Sequence, residues 1–98
     1  MKRYFVYFLR CVDGTFYVGI TNDIERRLGE HRFGIDPECY TFWRRPLVLV
    51  HVSEFAWIDQ AIAFEKKAKA WSHRKKRAFV EGKWEEMRRF SRGRDRSR

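Results

Sequence analysis

Five side chains able to do chemistry stand in or beside the apolar pattern of this chain: Tyr7, Tyr17, Arg27, His31 and Glu65. Successive residues of a helix turn by about 100°. In a helix over residues 23–32, Ile24 and Leu28 make the apolar stripe, and Arg27 and His31 fall on the same side. In a second helix, Ile58, Ala61, Ile62 and Ala68 define the inward face, and Glu65 projects between Ala61 and Ile62. A carboxylate in an apolar stripe is costly unless it has a partner, a proton or a metal. Two outcomes stay open at this point. Glu65 forms a half-buried salt bridge with Arg27, or it serves a site that uses a metal. His31 alone reads equally well as a capping or packing residue, and tyrosine is an ordinary strand residue. The chemistry therefore depends on whether the fold gathers these residues.

The elements that must do the gathering are legible. Tyr4–Arg10 and Phe16–Ile20 are rich in aromatic and branched residues and read as strands joined at Val12-Asp13-Gly14. Loop length decides which side chains share a face. A two-residue turn at Asp13-Gly14 pairs Val12 with Thr15 and puts Tyr7 and Tyr17 on opposite faces. A three-residue loop with Gly14 in the left-handed conformation pairs Cys11 with Thr15, and then Tyr7, Leu9, Tyr17 and Gly19 share one face. Asn22 with Glu25 reads as a capped start for the first helix, and Gly34 and Pro37 mark its exit. The apolar run Leu47–Val52 is expected to be the central strand. A helix follows from Trp57 to Trp71, and Ser72 caps another to about Glu81, ended by Gly82. Trp84 to Phe90 adds a further turn or two, and Ser91 to Arg98 reads as a disordered charged tail. The expectation is an α/β (α+β) domain over residues 1–90 in the order β-β-α-β-α-α. It has a small, mainly antiparallel three-stranded sheet flanked by three or more helices.

The chain has 98 residues, 44% of them hydrophobic, which suits one small core and excludes a disordered or collagen-like chain. Cys11 and Cys39 lie far apart without a CxxC pair, and the three histidines are scattered, so no zinc spacing exists. Both cysteines are expected to pack as small residues. No apolar run is long enough to span a membrane, and the N-terminus lacks a signal-peptide pattern, so a cytoplasmic location is expected. The net charge is +9, unevenly spread. Residues 1–65 hold eight basic and nine acidic side chains, whereas residues 66–98 hold 14 basic and four acidic. A one-sided basic field points to a polyanionic partner, most often nucleic acid. Lys66, Lys67, Lys69, Arg74, Lys75, Lys76 and Arg77 are the residues placed to hold it.

The two tyrosines stand ten residues apart, in Val6-Tyr7 and Tyr17-Val18-Gly19; Arg27 follows after ten more, then His31 one turn on, and Glu65 on the second helix. This combination resembles the GIY-YIG nuclease family, and within it the small stand-alone bacterial proteins related to the N-terminal domain of the excinuclease C subunit. The likeness covers about Tyr4 to Arg77. Phe5 and Val6 replace the Gly and Ile of the first motif, and the second motif reads Tyr17-Val18-Gly19. Arg77 stands where some family nucleases carry Asn.

The resemblance implies a metal-dependent endonuclease acting on nucleic acid, DNA rather than RNA, in repair or recombination. It implies one divalent ion, Mg2+ or Mn2+, on Glu65, with Arg27 on the scissile phosphate. Tyr7 and Tyr17 would orient or deprotonate the water, and His31 would hydrogen-bond a tyrosine or the phosphate. Gly19 is part of the motif scaffold. The implied products carry 5′-phosphate and 3′-hydroxyl ends. The alternatives are a nucleic-acid-binding module that keeps the fold without cutting alone, and a basic protein that binds a protein partner.

Overall fold

The computed structural model describes residues 2–83. The turns expected over 84–90 and the tail over 91–98 lie outside the described residues. The elements run β1 (Tyr4–Arg10), β2 (Phe16–Thr21), α1 (Ile24–Phe33), a 3-10 turn (Phe42–Arg44), β3 (Val48–Phe55), α2 (Ile58–Lys69) and α3 (His73–Val80). The three strands form one antiparallel sheet in the order β2-β1-β3. No helix among the described residues is long and apolar enough to cross a membrane.

The hairpin adopts the longer of its two possible loops. Cys11 N donates to Thr15 O (2.8 Å), Gly14 N donates to Cys11 O (2.9 Å), and Gly14 takes φ +84°. Glycine meets that left-handed angle at no steric cost. The resulting register sets Tyr7 opposite Gly19 and Leu9 opposite Tyr17. Side chains alternate along a strand, so one sheet face carries Tyr7, Leu9, Tyr17 and Gly19. The other carries Val6, Phe8 and Val18, which pack with Ala61, Ala68, Trp71 and Phe79 as the core.

Three expectations need correction. The central strand is β1, not the 47–52 run. Val6, Tyr7, Phe8 and Leu9 are each at most 1% exposed, whereas Val48 and Val52 of β3 are exposed at the edge. The apolar run looked doubly buried, but only β1 has a strand on each side and cover on both faces. The first helix begins one residue later, with Asp23 rather than Asn22 as its cap, accepting from Arg26 N (3.1 Å). On α2 the inward residues are Ala61, Phe64 and Ala68, while Ile58 and Ile62 are exposed. Small alanines let the helix approach the sheet closely, which turns the bulkier isoleucines outward.

The other helix limits follow from local chemistry. Gly34 ends α1 in the left-handed conformation (φ +64°), and Ser72 caps α3 by accepting from Lys75 N (3.1 Å). Aromatic rings fill the core beneath β1: Phe8 lies 5.2 Å from Phe79 and 6.3 Å from Trp71, centroid to centroid. Such pairs contribute roughly 0.5–1.5 kcal/mol beyond area burial. They hold α2 and α3 on one face and leave the tyrosine face to α1 and residues 39–41.

Candidate active site

The Tyr7 and Tyr17 rings are neighbours on one face, with centroids 6.3 Å apart. Gly19 makes room for this. It lies across from Tyr7 in the register, and a Cβ there would run into Tyr7 Oη and Cζ. Above the pair, α1 delivers His31, only 3% exposed. Its ring meets Tyr7 and Tyr17 edge-on at 5.7 Å and 5.1 Å. Tyr7 Oη and His31 Nε2 are hydrogen-bonded at 2.9 Å, and His31 Nδ1 and Thr41 Oγ1 at 2.8 Å. The result is a buried line of groups, Tyr7–His31–Thr41. Cys39 Sγ lies 3.4 Å from Thr41 Oγ1 at its end.

Arg27 stands one turn before His31. It donates from Nη1 to Glu30 Oε1 (2.9 Å) and interacts with both tyrosine hydroxyls. Burial works against its charge, but Glu30 and the two tyrosines outweigh that and raise its pKa, so it stays a cation. Burial, reinforced by Tyr17, pushes Tyr7 well above the usual phenol range, with Arg27 pulling the other way. Burial also raises Tyr17, again opposed by Arg27. His31 is pushed down to about 4 by burial first and by the Arg27 charge second. At neutral pH the site therefore holds a neutral imidazole, two phenols and one guanidinium.

Glu65 lies on α2 with its side chain 14% exposed, and Lys69 donates to its Oε2 (3.1 Å). The Glu65–Arg27 salt bridge does not form, because each finds a partner on its own helix. The link to the tyrosines runs through Lys69, which lines a cleft of about 200 Å3 together with Tyr17 and Lys76. The basic residues read from the sequence separate here. Lys66, Lys67, Arg74 and Arg77 are exposed on α2 and α3, whereas Lys69 and Lys76 border the cleft. Lys75 goes elsewhere: it is 8% exposed, with its ammonium 5.0 Å over the Trp71 ring.

Four residues at the site were not assigned to it from the sequence. Glu30 had a signal, its i,i+3 spacing from Arg27. Cys39, Tyr40 and Thr41 had none, because they come from a loop whose path only packing determines. Tyr40 lies nearly parallel to Tyr17 (21°, centroids 6.2 Å apart), and Thr41 is 1% exposed. Cys39 and Cys11 are both free thiols, and Cys39 borders the histidine rather than filling core.

The tyrosine pair on the three-stranded sheet, the Arg–His turn above it and the carboxylate on α2 all fall within the part of the chain that matches a known family. The family model for the GIY-YIG catalytic domain matches residues 3–78. The chain belongs to the GIY-YIG family, a nuclease family. It is 37% identical over 79 residues to a UPF0213 protein of Bacillus pumilus, covering 81% of this chain and 80% of that protein. A UPF0213 protein of Halobacterium salinarum is 40% identical over 73 residues, 74% of this chain and 94% of its own length. Two solution NMR structures share the fold. The UPF0213 protein from Bacillus halodurans gives a TM-score of 0.55 at 37% identity, covering 81% of this chain and 83% of that one. A protein from E. faecalis gives 0.60 at 33% identity, covering 84% and 86%.

Proposed function

We propose that this protein is a metal-dependent endonuclease that hydrolyses phosphodiester bonds, preferring DNA to RNA. The observation that carries this reading is the convergence of Tyr7, Tyr17, Arg27 and His31 from three elements onto one sheet face. Divalent-metal dependence is general in the family. The residues present fit a hydrated ion. Among the described residues there is no cluster of three His, Cys, Asp or Glu, but Glu65 is a half-buried carboxylate already holding one cation, the Lys69 ammonium. Magnesium keeps most of its waters and needs only one or two carboxylates. Bound at Glu65, it would supply charge stabilisation at the leaving 3′ oxygen.

The remaining roles belong to this chain's own groups. Arg27 offers a planar fork of donors to the scissile phosphate. Tyr7 Oη takes a proton from the attacking water as its own proton passes to His31 Nε2 across the 2.9 Å bond. The tautomer with its proton on Nδ1, donated to Thr41, leaves Nε2 free to accept. The low pKa of His31 keeps that nitrogen unprotonated at neutral pH. The water oxygen bonds to phosphorus, the P–O3′ bond breaks, and the 3′ oxygen takes a proton from solvent. His31, whose charged ring burial and Arg27 disfavour, releases its extra proton to solvent, so that both side chains return to their starting states.

The Lys69–Glu65 pair favours one second reading, a nucleic-acid-binding module whose carboxylate stays occupied. Incubation with branched, flapped and single-stranded DNA and with RNA, in magnesium or manganese, separates the two. The nuclease reading expects metal-dependent nicks that Arg27→Ala and Tyr7→Phe suppress. Binding without cleavage of any substrate would refute it.

A further inference from the structure

The two tyrosines of the site are held by different means. Tyr7 lies on the central strand, 1% exposed, with its hydroxyl bonded to His31. Tyr17 lies on β2, an edge strand, and is only half-buried. Its hydroxyl meets Arg27, a long side chain shared with Tyr7 and Glu30. A side chain placed this way keeps rotamer freedom unless another group packs against it.

Tyr40 is that group. Its ring lies nearly parallel to Tyr17, at 21° and 6.2 Å between centroids. Tyr40 is itself 41% exposed, so burial does not fix it; polar contacts do. Its hydroxyl donates to Thr15 Oγ1 (2.9 Å), two residues before Tyr17 in the same hairpin. Thr15 Oγ1 donates to Asp13 Oδ1 (2.6 Å), and Arg44 Nε donates to Asp13 Oδ2 (3.1 Å). Arg44 Nη1 closes the circuit by donating to Tyr40 O (2.8 Å), and the guanidinium lies 3.7 Å over the Tyr40 ring. The bonds from Thr15, and after them Arg44, hold Asp13 below the usual carboxylate range, so it is ionised at neutral pH.

An exposed ion pair contributes little alone. Here Arg44 reaches Asp13, the Tyr40 carbonyl and the Tyr40 ring together, so removing it opens the whole circuit. The same loop serves the other tyrosine. Thr41, the next residue, is bonded to His31 Nδ1 (2.8 Å) and through that ring to Tyr7. Adjacent loop residues thus brace the two tyrosines by separate routes.

We infer that Tyr40 is the positioning residue of Tyr17, and that Arg44, with Asp13 and Thr15, sets where Tyr40 stands. None of these residues touches the reacting atoms. Tyr40 keeps the Tyr17 ring against His31, at 5.1 Å, and its hydroxyl at Arg27. The consequence for cleavage rests on the nuclease reading; the placement of the ring does not.

The first test reads the ring in the full chain, without metal or substrate. A neutral gadolinium chelate broadens the NMR signals of isotope-labelled tyrosine rings that solvent reaches, and Tyr17→Phe assigns the Tyr17 signals by their loss. Arg44→Met retains the Tyr40 ring but should strip Tyr17 of its protection while Tyr7 keeps its own. Asp13→Ala, which cuts the same circuit from the exposed hairpin loop, should do likewise and decides the matter if Arg44→Met misfolds. Tyr17 as protected as in wild type, or Tyr7 losing protection equally, would overturn the assignment. The second test is cleavage in magnesium. Tyr40→Ala should lower kcat by roughly tenfold to a hundredfold, the scale of a misplaced reacting group, with KM little changed. Tyr40→Phe, which keeps the ring under Arg44, should restore the rate. In a Tyr17→Phe background, Tyr40→Ala should cost little more, because both changes act through one group. A full additive loss there would show that Tyr40 does not act through Tyr17. A wild type that never cuts would sink the nuclease reading alone, and the ring signals would still decide what Tyr40 holds.

Discussion

Gly19→Ala puts the geometry of the tyrosine face at risk with one methyl group. Two effects oppose each other. Alanine in a strand interior is favoured over glycine by roughly 0.5–1 kcal/mol, and Gly19 has no positive φ that would make alanine strained. On that ground alone the variant would be more stable. Against it, the new Cβ meets Tyr7 Oη and Cζ and comes within 3.0 Å of Tyr17 Cε2. Tyr7 cannot swing aside cheaply, because it is 1% exposed and its hydroxyl is bonded to His31. Overpacking of this kind costs about 1–3 kcal/mol, and losing the Tyr7–His31 bond adds about 1 kcal/mol. Steric cost wins, and the net destabilisation is about 1–3 kcal/mol. For a domain of this size that lowers Tm on the order of 10 °C. Thermal unfolding followed by circular dichroism reads the stability, and the ring NMR signals of His31 read the broken bond. Gly29→Ala is the internal control: nothing lies within 4 Å of its Cβ, and it sits inside α1. That variant should gain roughly 0.5–1 kcal/mol. A Gly19→Ala protein that gains stability as Gly29→Ala does, with His31 signals unmoved, would refute the argument that glycine is required to seat Tyr7.

Three further outcomes are expected. Glu65→Gln keeps the shape of the side chain and loses its charge, so the fold should persist while magnesium-dependent cleavage disappears; a wild-type rate in this variant would contradict the metal-site reading. His31 has a folded-state pKa of about 4, below its unfolded value of about 6.5. The unfolded chain therefore binds the extra proton between those values, and stability present above pH 6.5 is lost as the pH falls toward 4, by about 3 kcal/mol. Burial pushes His51 down in the same direction, so the comparison is urea unfolding of wild type against His31→Gln, which should show a flatter pH slope; equal slopes would count against a buried neutral His31. Deleting residues 91–98 removes four arginines and one aspartate. Each arginine that pairs with a phosphate adds about 0.7–0.9 to the log–log salt slope of DNA binding, so the shortened chain should show a shallower slope with saturated turnover unchanged; identical slopes would show that these arginines never reach the nucleic acid.

The sequence by itself determined what is local. Aromatic and branched runs marked β1 and β2, Ser72 and Gly34 marked helix ends, and Arg27, His31 and Glu65 were conspicuous because polar groups interrupt an apolar stripe. Those signals depend on spacing within one element, which the chain carries openly. Tertiary packing decided the rest. The choice between a two- and a three-residue hairpin loop moved Tyr17 from one face to the other, and only the completed pairing, with Gly14 at φ +84°, settled it. The 47–52 run is apolar enough for a central strand, yet β1 took that place because it alone pairs on both edges. Helical periodicity showed that α2 has an apolar side, but not that Ala61 and Ala68 face the sheet while Ile58 and Ile62 face outward. Thr41 and Tyr40 belong to a loop with no periodicity, and their roles exist only through His31, Tyr17 and Thr15, which are 10, 23 and 25 residues away in the chain. Interactions across such distances depend on how whole elements stack, and no spacing within one element encodes that.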